Sequence, residues 1–350
     1  MPLSGSAVTG SRADGNGLPF IGRDRSGRKC LKHIDAETIE DALTILSDHM
    51  GEAKIVAGGT DLIRLLGADI VSPLVLINIK TIPTLAAITQ DAAGLRIGSL
   101  ATLHEIESSP IIRDEYPMLA EAAHLAASPQ IRNMATLGGN LCQDVNCWYY
   151  RRPMGTGSTF TCRRKGGTVC YAPEGDNRYH AIMGKNGCFA VFTSDLAPAL
   201  VAFDAKMKIT GPAGETEINV EDFYTPWGNV LKPNEVVTEI QVRTLRPGTK
   251  QRYLKFRMRN AIDPALSSVA AVIHIEEGVV KDARIAVGGV APMPSRALGA
   301  ENVIIGKVIT DALSDMAGKV AMSEAVPLSM NAYKVRITEM LIKRAILQLQ

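Results

Sequence analysis

Hydrophobic residues recur along this chain at helical spacing in some stretches and as short unbroken runs in others. Ile39, Ala42, Leu43 and Leu46 fall at i, i+3, i+4 and i+7, which predicts an amphipathic helix. The stretch Lys54-Ile55-Val56-Ala57-Gly58-Gly59-Thr60-Asp61-Leu62 then runs a β-branched pair into two glycines, a hydroxyl, a carboxylate and an apolar helix start. That order predicts strand, tight turn and helix, with Thr60 or Asp61 as the cap. Residues 73–79 and 95–100 predict buried strands, and Pro117 opens a helix as a first-turn proline. Ile131-Arg132-Asn133-Met134-Ala135 leads into a second paired-glycine turn, Thr136-Leu137-Gly138-Gly139-Asn140.

Further along, residues 199–203 and 207–210 predict two strands joined by a turn, Pro226-Trp227-Gly228 a loop, and residues 235–242 another strand. Pro247-Gly248 marks a candidate boundary. Beyond it, residues 267–275 and 283–290 predict a smaller sheet, and residues 309–325 and 331–349 predict helices. Ile337, Leu341 and Ala345 form the packing face of the last one.

Paired glycines permit positive φ and let backbone N–H groups approach a ligand closely. One such site is a plain turn with a cap. Two together can face one anionic group from both sides, because amide nests bind pyrophosphate without lysine. The chain has no G-x-G-x-x-G after a strand and no G-x-x-x-x-G-K-[ST], which argues against a Rossmann NAD site and a P-loop NTPase. Its six histidines, His33, His49, His104, His124, His180 and His274, form no H-x-x-x-H pair, so a zinc hydrolase finds no support.

At 350 residues, 46% of them hydrophobic and 5% aromatic, the chain can bury the core of a mixed α/β protein of two or three domains. A formal charge of +2 gives no reason to invoke nucleic acid. No apolar run reaches the roughly 18 residues that cross a bilayer. Residues 1–29 are rich in Gly, Ser, Arg and Asp without an apolar h-region, so they are expected to be a loose tail or surface arm.

Five of the six cysteines, Cys142, Cys147, Cys162, Cys170 and Cys188, fall within 47 residues, and Cys30 stands apart. A chain of this size needs no disulfide staples, so reduced thiols serving as metal ligands are the better expectation. The intervals after Cys147 are 15, 8 and 18, with no C-x-x-C pair and no bacterial ferredoxin spacing. Four thiolates can converge, but spacing alone does not choose the metal. Cys142, beside the second glycine turn, is expected to pack near that loop. Trp148, Tyr149 and Tyr150 can shield a cluster, and Arg151, Arg152, Arg163, Arg164 and Lys165 bring positive charge to the thiolates or form a docking surface. His180 is a weaker ligand candidate.

With these residues in hand, the chain resembles the FAD-binding medium subunits of xanthine dehydrogenase-type molybdenum hydroxylases. The matching segments are Ala57-Gly58-Gly59-Thr60-Asp61-Leu62, Ile131-Arg132-Asn133, Thr136-Leu137-Gly138-Gly139-Asn140, Ser194-Asp195-Leu196-Ala197-Pro198, Lys255-Phe256-Arg257 with Asp263, and Gly288-Gly289-Val290-Ala291. Most members run almost directly from the second loop to the Ser-Asp segment. The cysteine-bearing insertion here resembles two subgroups, the β subunit of 4-hydroxybenzoyl-CoA reductase and the FAD subunit of bacterial periplasmic aldehyde oxidoreductase, whose insertions hold a further [4Fe-4S] cluster.

The resemblance implies an α+β fold: a two-subdomain FAD-binding domain of the vanillyl-alcohol-oxidase (PCMH) type over residues 30–245, then a smaller α+β C-terminal domain over 246–350. The subdomains would divide as 30–84 and 85–245, with the iron–sulfur insertion at 142–190. Lys54, Ile55, Val56, Ala57, Gly58, Gly59, Thr60 and Asp61, with Thr136, Gly138, Gly139 and Asn140, would hold the FAD pyrophosphate. Ser194 and Asp195 would lie near the ribityl chain, Val237 and Lys255 near the ring. Cys147, Cys162, Cys170 and Cys188 would ligate the cluster. The implied partners are a large subunit with the molybdenum cofactor, a small subunit with [2Fe-2S] clusters, and a carrier such as ferredoxin. The expected location is the cytoplasm, or wherever a partner subunit is exported. A self-contained FAD oxidase and a zinc-stapled interaction module are the alternatives.

Overall fold

The structure is a computed structural model that describes residues 31–152, 160–184, 187–260 and 262–350. The expected tail and Cys30 lie outside the described residues. Thr38 opens α1 (Ile39–Asp48) with a capping box, its hydroxyl accepting from Asp41 N while the Asp41 carboxylate accepts from Thr38 N. Ala42, Leu43 and Leu46 of α1 are buried against a parallel sheet of β1 (Lys32–Asp35), β2 (Ala53–Val56) and β3 (Val75–Asn78), in the order β1–β3–β2. β3 takes the centre because Val75, Leu76 and Ile77 are apolar on both faces. β2 runs through the first glycine pair into α2 (Leu62–Gly67).

The second layer starts with β4 (Ile88–Asp91) and β5 (Gly94–Gly98), followed by five short helices: α3 (Leu103–Ser108), α4 (Pro110–Glu115), α5 (Pro117–Leu125), α6 (Pro129–Arg132) and α7 (Leu137–Leu141). Beyond the cysteine segment come α8 (Leu196–Ala202), β6 (Lys206–Gly211), β7 (Gly214–Asn219), a ribbon of β8 (Tyr224–Thr225) with β9 (Gly228–Asn229), and β10 (Val236–Arg243). The antiparallel sheet has the order β4–β5–β10–β6–β7. A bulge between Val237 and Glu239 breaks the β10–β6 register, and Val237 lines the cleft described below.

The C-terminal part is an antiparallel sheet of β11 (Thr249–Phe256), β12 (Ser267–Glu276), β13 (Val279–Gly288) and β14 (Ser295–Arg296), with α9 (Leu298–Ile304), α10 (Asp311–Ala321) and α11 (Tyr333–Leu347). β12 alternates between two cores. Ala270 and Val272 face the core shared with α5 and α8, whereas Val269, Ala271 and Ile273 face α9–α11. The sheet is therefore buried on both sides and joins the two parts of the chain.

Two local expectations are corrected. Residues 199–203 are not a strand but lie in α8 and its cap. All seven residues of α8 are buried, and a short run that is apolar all round carries no period to separate helix from strand. The second glycine pair is the single turn of α7, not an open turn. Thr136 caps it by accepting from Gly139 N at 3.2 Å.

Candidate functional site

The two glycine segments meet. A Cβ added to Gly58 would sit 1.8 Å from the Met134 carbonyl oxygen, and one on Gly138 would sit 2.9 Å from Ser99 Cβ. Gly58 is thus required by the contact between loops, while Gly59 supplies the left-handed φ of +69° that turns β2 into α2. Among the described residues the amides of Gly58, Gly59 and Thr60 have no hydrogen-bond partner. Those of Gly138 and Gly139 are taken up internally by Ser99 O and Thr136 Oγ1. So the first loop presents free donors, and the second serves mainly as the platform it packs on.

Between them lies a cleft of about 710 Å³, within the range of cofactor sites. Lys54, Ile55, Val56, Ala57, Gly58, Gly59, Thr60, Asp61, Thr136, Gly138, Gly139 and Val237 all line it. Cys142, the C-cap of α7, lines it as well, its thiol pushed up to about 12 by burial. Among the described residues, Ser99 Oγ and Tyr224 OH are buried with no hydrogen-bond partner, and parts of both residues line this cleft. Burial also holds the Tyr224 phenol well above its ordinary pKa, so it remains a donor. Orphaned buried polar atoms are costly, so these two hydroxyls are unusual features of the cleft's wall. Nothing in the sequence marks Ser99 or Tyr224; only the closure of β5 and the β8–β9 ribbon over the cleft does.

Asn140, Ser194, Asp195 and Lys255 do not line the cleft. They form a polar chain leading from its edge into the third sheet. Ser194 Oγ donates to Asn140 Oδ1 and accepts from Ala197 N. Asp195 accepts from Tyr253 OH and from Lys255 Nζ, each at 2.7 Å, and Lys255 Nζ also donates to Leu125 O at 2.8 Å. With side-chain exposures of 1% and 5%, Lys255 and Asp195 are a buried ion pair between β11 and the start of α8.

Asp61 occupies the N-cap position of α2, but its side chain makes no cap hydrogen bond. Its carboxylate instead receives Arg151 Nη1 at 2.6 Å, Arg151 Nη2 at 3.2 Å and the Asp144 amide at 3.0 Å. The cysteine segment is thereby clamped onto the first glycine loop, a link between residues 90 positions apart that local pattern cannot reveal.

Cys147, Cys162, Cys170 and Cys188 line one further cavity with Tyr149, Tyr150 and Tyr171. It is small, about 20 Å³. Cys147 Sγ and His180 Nε2 lie 3.2 Å apart, and Arg164 Nε donates to Cys188 Sγ at 3.0 Å. Burial pushes the Cys147 thiol up to about 12 and the His180 imidazole down to about 4. Among the described residues no three His, Cys, Asp or Glu side chains converge as ligands of a single ion. Tyr149 and Tyr150 are buried as a shield requires, whereas Trp148 is 37% exposed. Arg164 is not in an exposed basic loop: it is bonded to Cys188 and to the Pro226 and Trp227 carbonyls.

Tyr150, Arg163 and Arg164 line both cavities, so the two share a wall. No helix among the described residues is long and apolar enough to cross a membrane.

Residues 29–243 match the FAD binding domain in molybdopterin dehydrogenase, and residues 252–349 match the CO dehydrogenase flavoprotein C-terminal domain. The aldehyde oxidoreductase FAD-binding subunit PaoB of Escherichia coli (strain K12) is 36% identical over 257 residues, covering 70% of this chain and 76% of that protein. The carbon monoxide dehydrogenase medium chain of Hydrogenophaga pseudoflava is 27% identical over 316 residues, 89% of this chain and 93% of that one. Among solved structures, carbon monoxide dehydrogenase from Hydrogenophaga pseudoflava lacking the Mo-pyranopterin moiety superposes with a TM-score of 0.74 at 25% identity, covering 91% of this chain and 96% of that one. The free amides lining the cleft fit the diphosphate of a flavin nucleotide, and with both parts of the sequence matched, the chain belongs to the family of FAD-binding medium subunits of molybdopterin dehydrogenases, the xanthine dehydrogenase and CO dehydrogenase type.

Proposed function

We propose that this chain is the FAD- and [4Fe-4S]-carrying electron-transfer subunit of a heterotrimeric molybdenum-dependent hydroxylase, dehydrogenase or reductase. The observation that carries the reading is the shared wall: a cleft with unpaired loop amides stands back to back with a cavity lined by four cysteines. Gly58, Gly59 and Thr60 would donate backbone N–H groups to the diphosphate. Cys147, Cys162, Cys170 and Cys188 would each ligate one iron. Distribution around a cavity, rather than convergence on a point, is what a cluster bound through its corners needs. A cubane would need more room than the present cavity of about 20 Å³. The metal itself would deprotonate the Cys147 thiol, which burial otherwise keeps neutral.

When bound, FAD supplies one- and two-electron exchange, and the cluster one-electron exchange. The chain's own contribution is position and electrostatics. Tyr150 and Arg164 stand in the shared wall, and Arg164 offers an N–H to the Cys188 sulfur. Substrate chemistry would belong to a large subunit holding the molybdenum cofactor. A small [2Fe-2S] subunit would exchange electrons with the flavin, and a carrier such as ferredoxin with the cluster.

Anaerobic co-purification with partner subunits, followed by flavin, iron and zinc analysis, tests this reading. The expected result is about one FAD and about four irons per chain. FAD without iron, or zinc in place of iron, removes the cluster half. Turnover of an organic substrate by the isolated chain removes the relay.

A further inference from the structure

Among the charged residues lining the cleft, Asp61 is the one set directly beside the free amides of the first glycine loop. An exposed carboxylate there would repel any anionic group those amides attract. The structure answers that charge with a residue from the cysteine segment. Arg151 spans both Asp61 oxygens, at 2.6 and 3.2 Å, and is itself fixed by donating to Val145 O at 2.8 Å and Asp144 O at 2.7 Å. Its side chain is only 10% exposed. The Arg151 amide donates to Cys147 O at 2.8 Å, so the same turn holds Arg151 and a cavity-lining cysteine.

From this geometry we infer that Arg151 is a positioning residue for diphosphate binding. By neutralising Asp61 it allows an anionic diphosphate to lie against the Gly58–Thr60 amides, and it makes flavin retention depend on the folded cysteine segment. The inference rests on reading the cleft as the FAD site. A bidentate guanidinium–carboxylate pair with low exposure is the form in which such neutralisation survives salt and competes with water. Arg151 does not touch the diphosphate in this scheme; it acts through Asp61.

The test is a double-mutant cycle on the full chain, with FAD titrated into deflavinated protein and followed by flavin fluorescence. Arg151→Gln exposes the Asp61 charge and should weaken FAD binding by at least about tenfold at low salt. Raising the salt should recover part of that loss, since repulsion is screened. The double variant Asp61→Asn with Arg151→Gln should regain most of the affinity and lose the salt response. Far-UV circular dichroism checks that each variant is folded. Binding in Arg151→Gln equal to the unmodified chain overturns the inference. So does a loss that Asp61→Asn fails to rescue, which marks Arg151 as merely structural. Failure of the unmodified chain to bind FAD would refute the cleft reading instead, so the two outcomes stay distinct.

Discussion

Replacing Gly58 by alanine probes whether the cleft is built by contact between the two glycine segments. The new Cβ would lie 1.8 Å from Met134 O and 2.7 Å from Met134 C, whereas ordinary contact begins at 3.4 Å. No rotamer relieves it, because both partners are backbone. The loops must part by about 1.6 Å, the shortfall against that ordinary distance. Overpacking of this kind costs about 1–3 kcal/mol, which for a chain of this size lowers Tm by roughly 1–4 °C. The displacement also takes the Gly59 and Thr60 amides out of register with the opposite wall. Losing two charge-assisted hydrogen bonds at about 1.5 kcal/mol each corresponds to roughly 100-fold weaker FAD binding. Gly67, at the end of α2, is the matched control, because a Cβ there meets nothing within 4 Å. Gly67→Ala should leave FAD binding unchanged and stability equal or slightly raised. Thermal unfolding with and without FAD, together with flavin titration, reads both effects. If Gly58→Ala melts with the unmodified chain and binds FAD within about twofold of it, the contact argument fails.

Three further outcomes follow from the same geometry. Cys170→Ser should strip most of the iron from anaerobically prepared protein while FAD stays bound; full iron content would remove Cys170 from the ligand set. Lys255→Met leaves Asp195 buried without its cation and should cost about 3–5 kcal/mol in denaturant unfolding, with the double variant Asp195→Asn, Lys255→Met costing less; equal losses would mean the pair carries no charge coupling. Lys334 is fully buried and its ammonium is pushed down to about 7 by burial, although it donates to His180 O and Gly289 O. The unfolded chain holds that proton to about pH 10.4, so across the window from about 7 to 10 the unfolded state binds more protons and stability rises with pH. Lys334→Met should flatten that rise in Tm measured from pH 7 to 9; an unchanged slope would show that another group sets it.

Much of the molecule was legible in the chain itself. The i, i+3, i+4 spacing of α1 and the continuous apolar run of β3 are local, because each encodes the face it must bury. The glycine pairs announced close backbone approach, since no other residue type permits it. Their division of labour was not legible. That Gly58 packs on Met134 while Gly59 carries the turn, and that Gly138–Gly139 sit inside a capped helical turn, depends on which backbone lies opposite. Likewise α8 was hidden by its uniform apolarity, which becomes a helix only because β12 and β13 cover it.

The sequence by itself determined that four cysteines and two glycine loops exist and are of the right chemical types to hold a redox group and an anion. Only the tertiary structure decided that Tyr150, Arg163 and Arg164 form the wall common to the two cavities, that the Ser99 and Tyr224 hydroxyls are buried without partners, and that Arg151 reaches back to Asp61. The reason is physical: residue type and spacing set what a segment can bond to within a turn or two, while pairings across 90 positions are selected by the packing of whole layers.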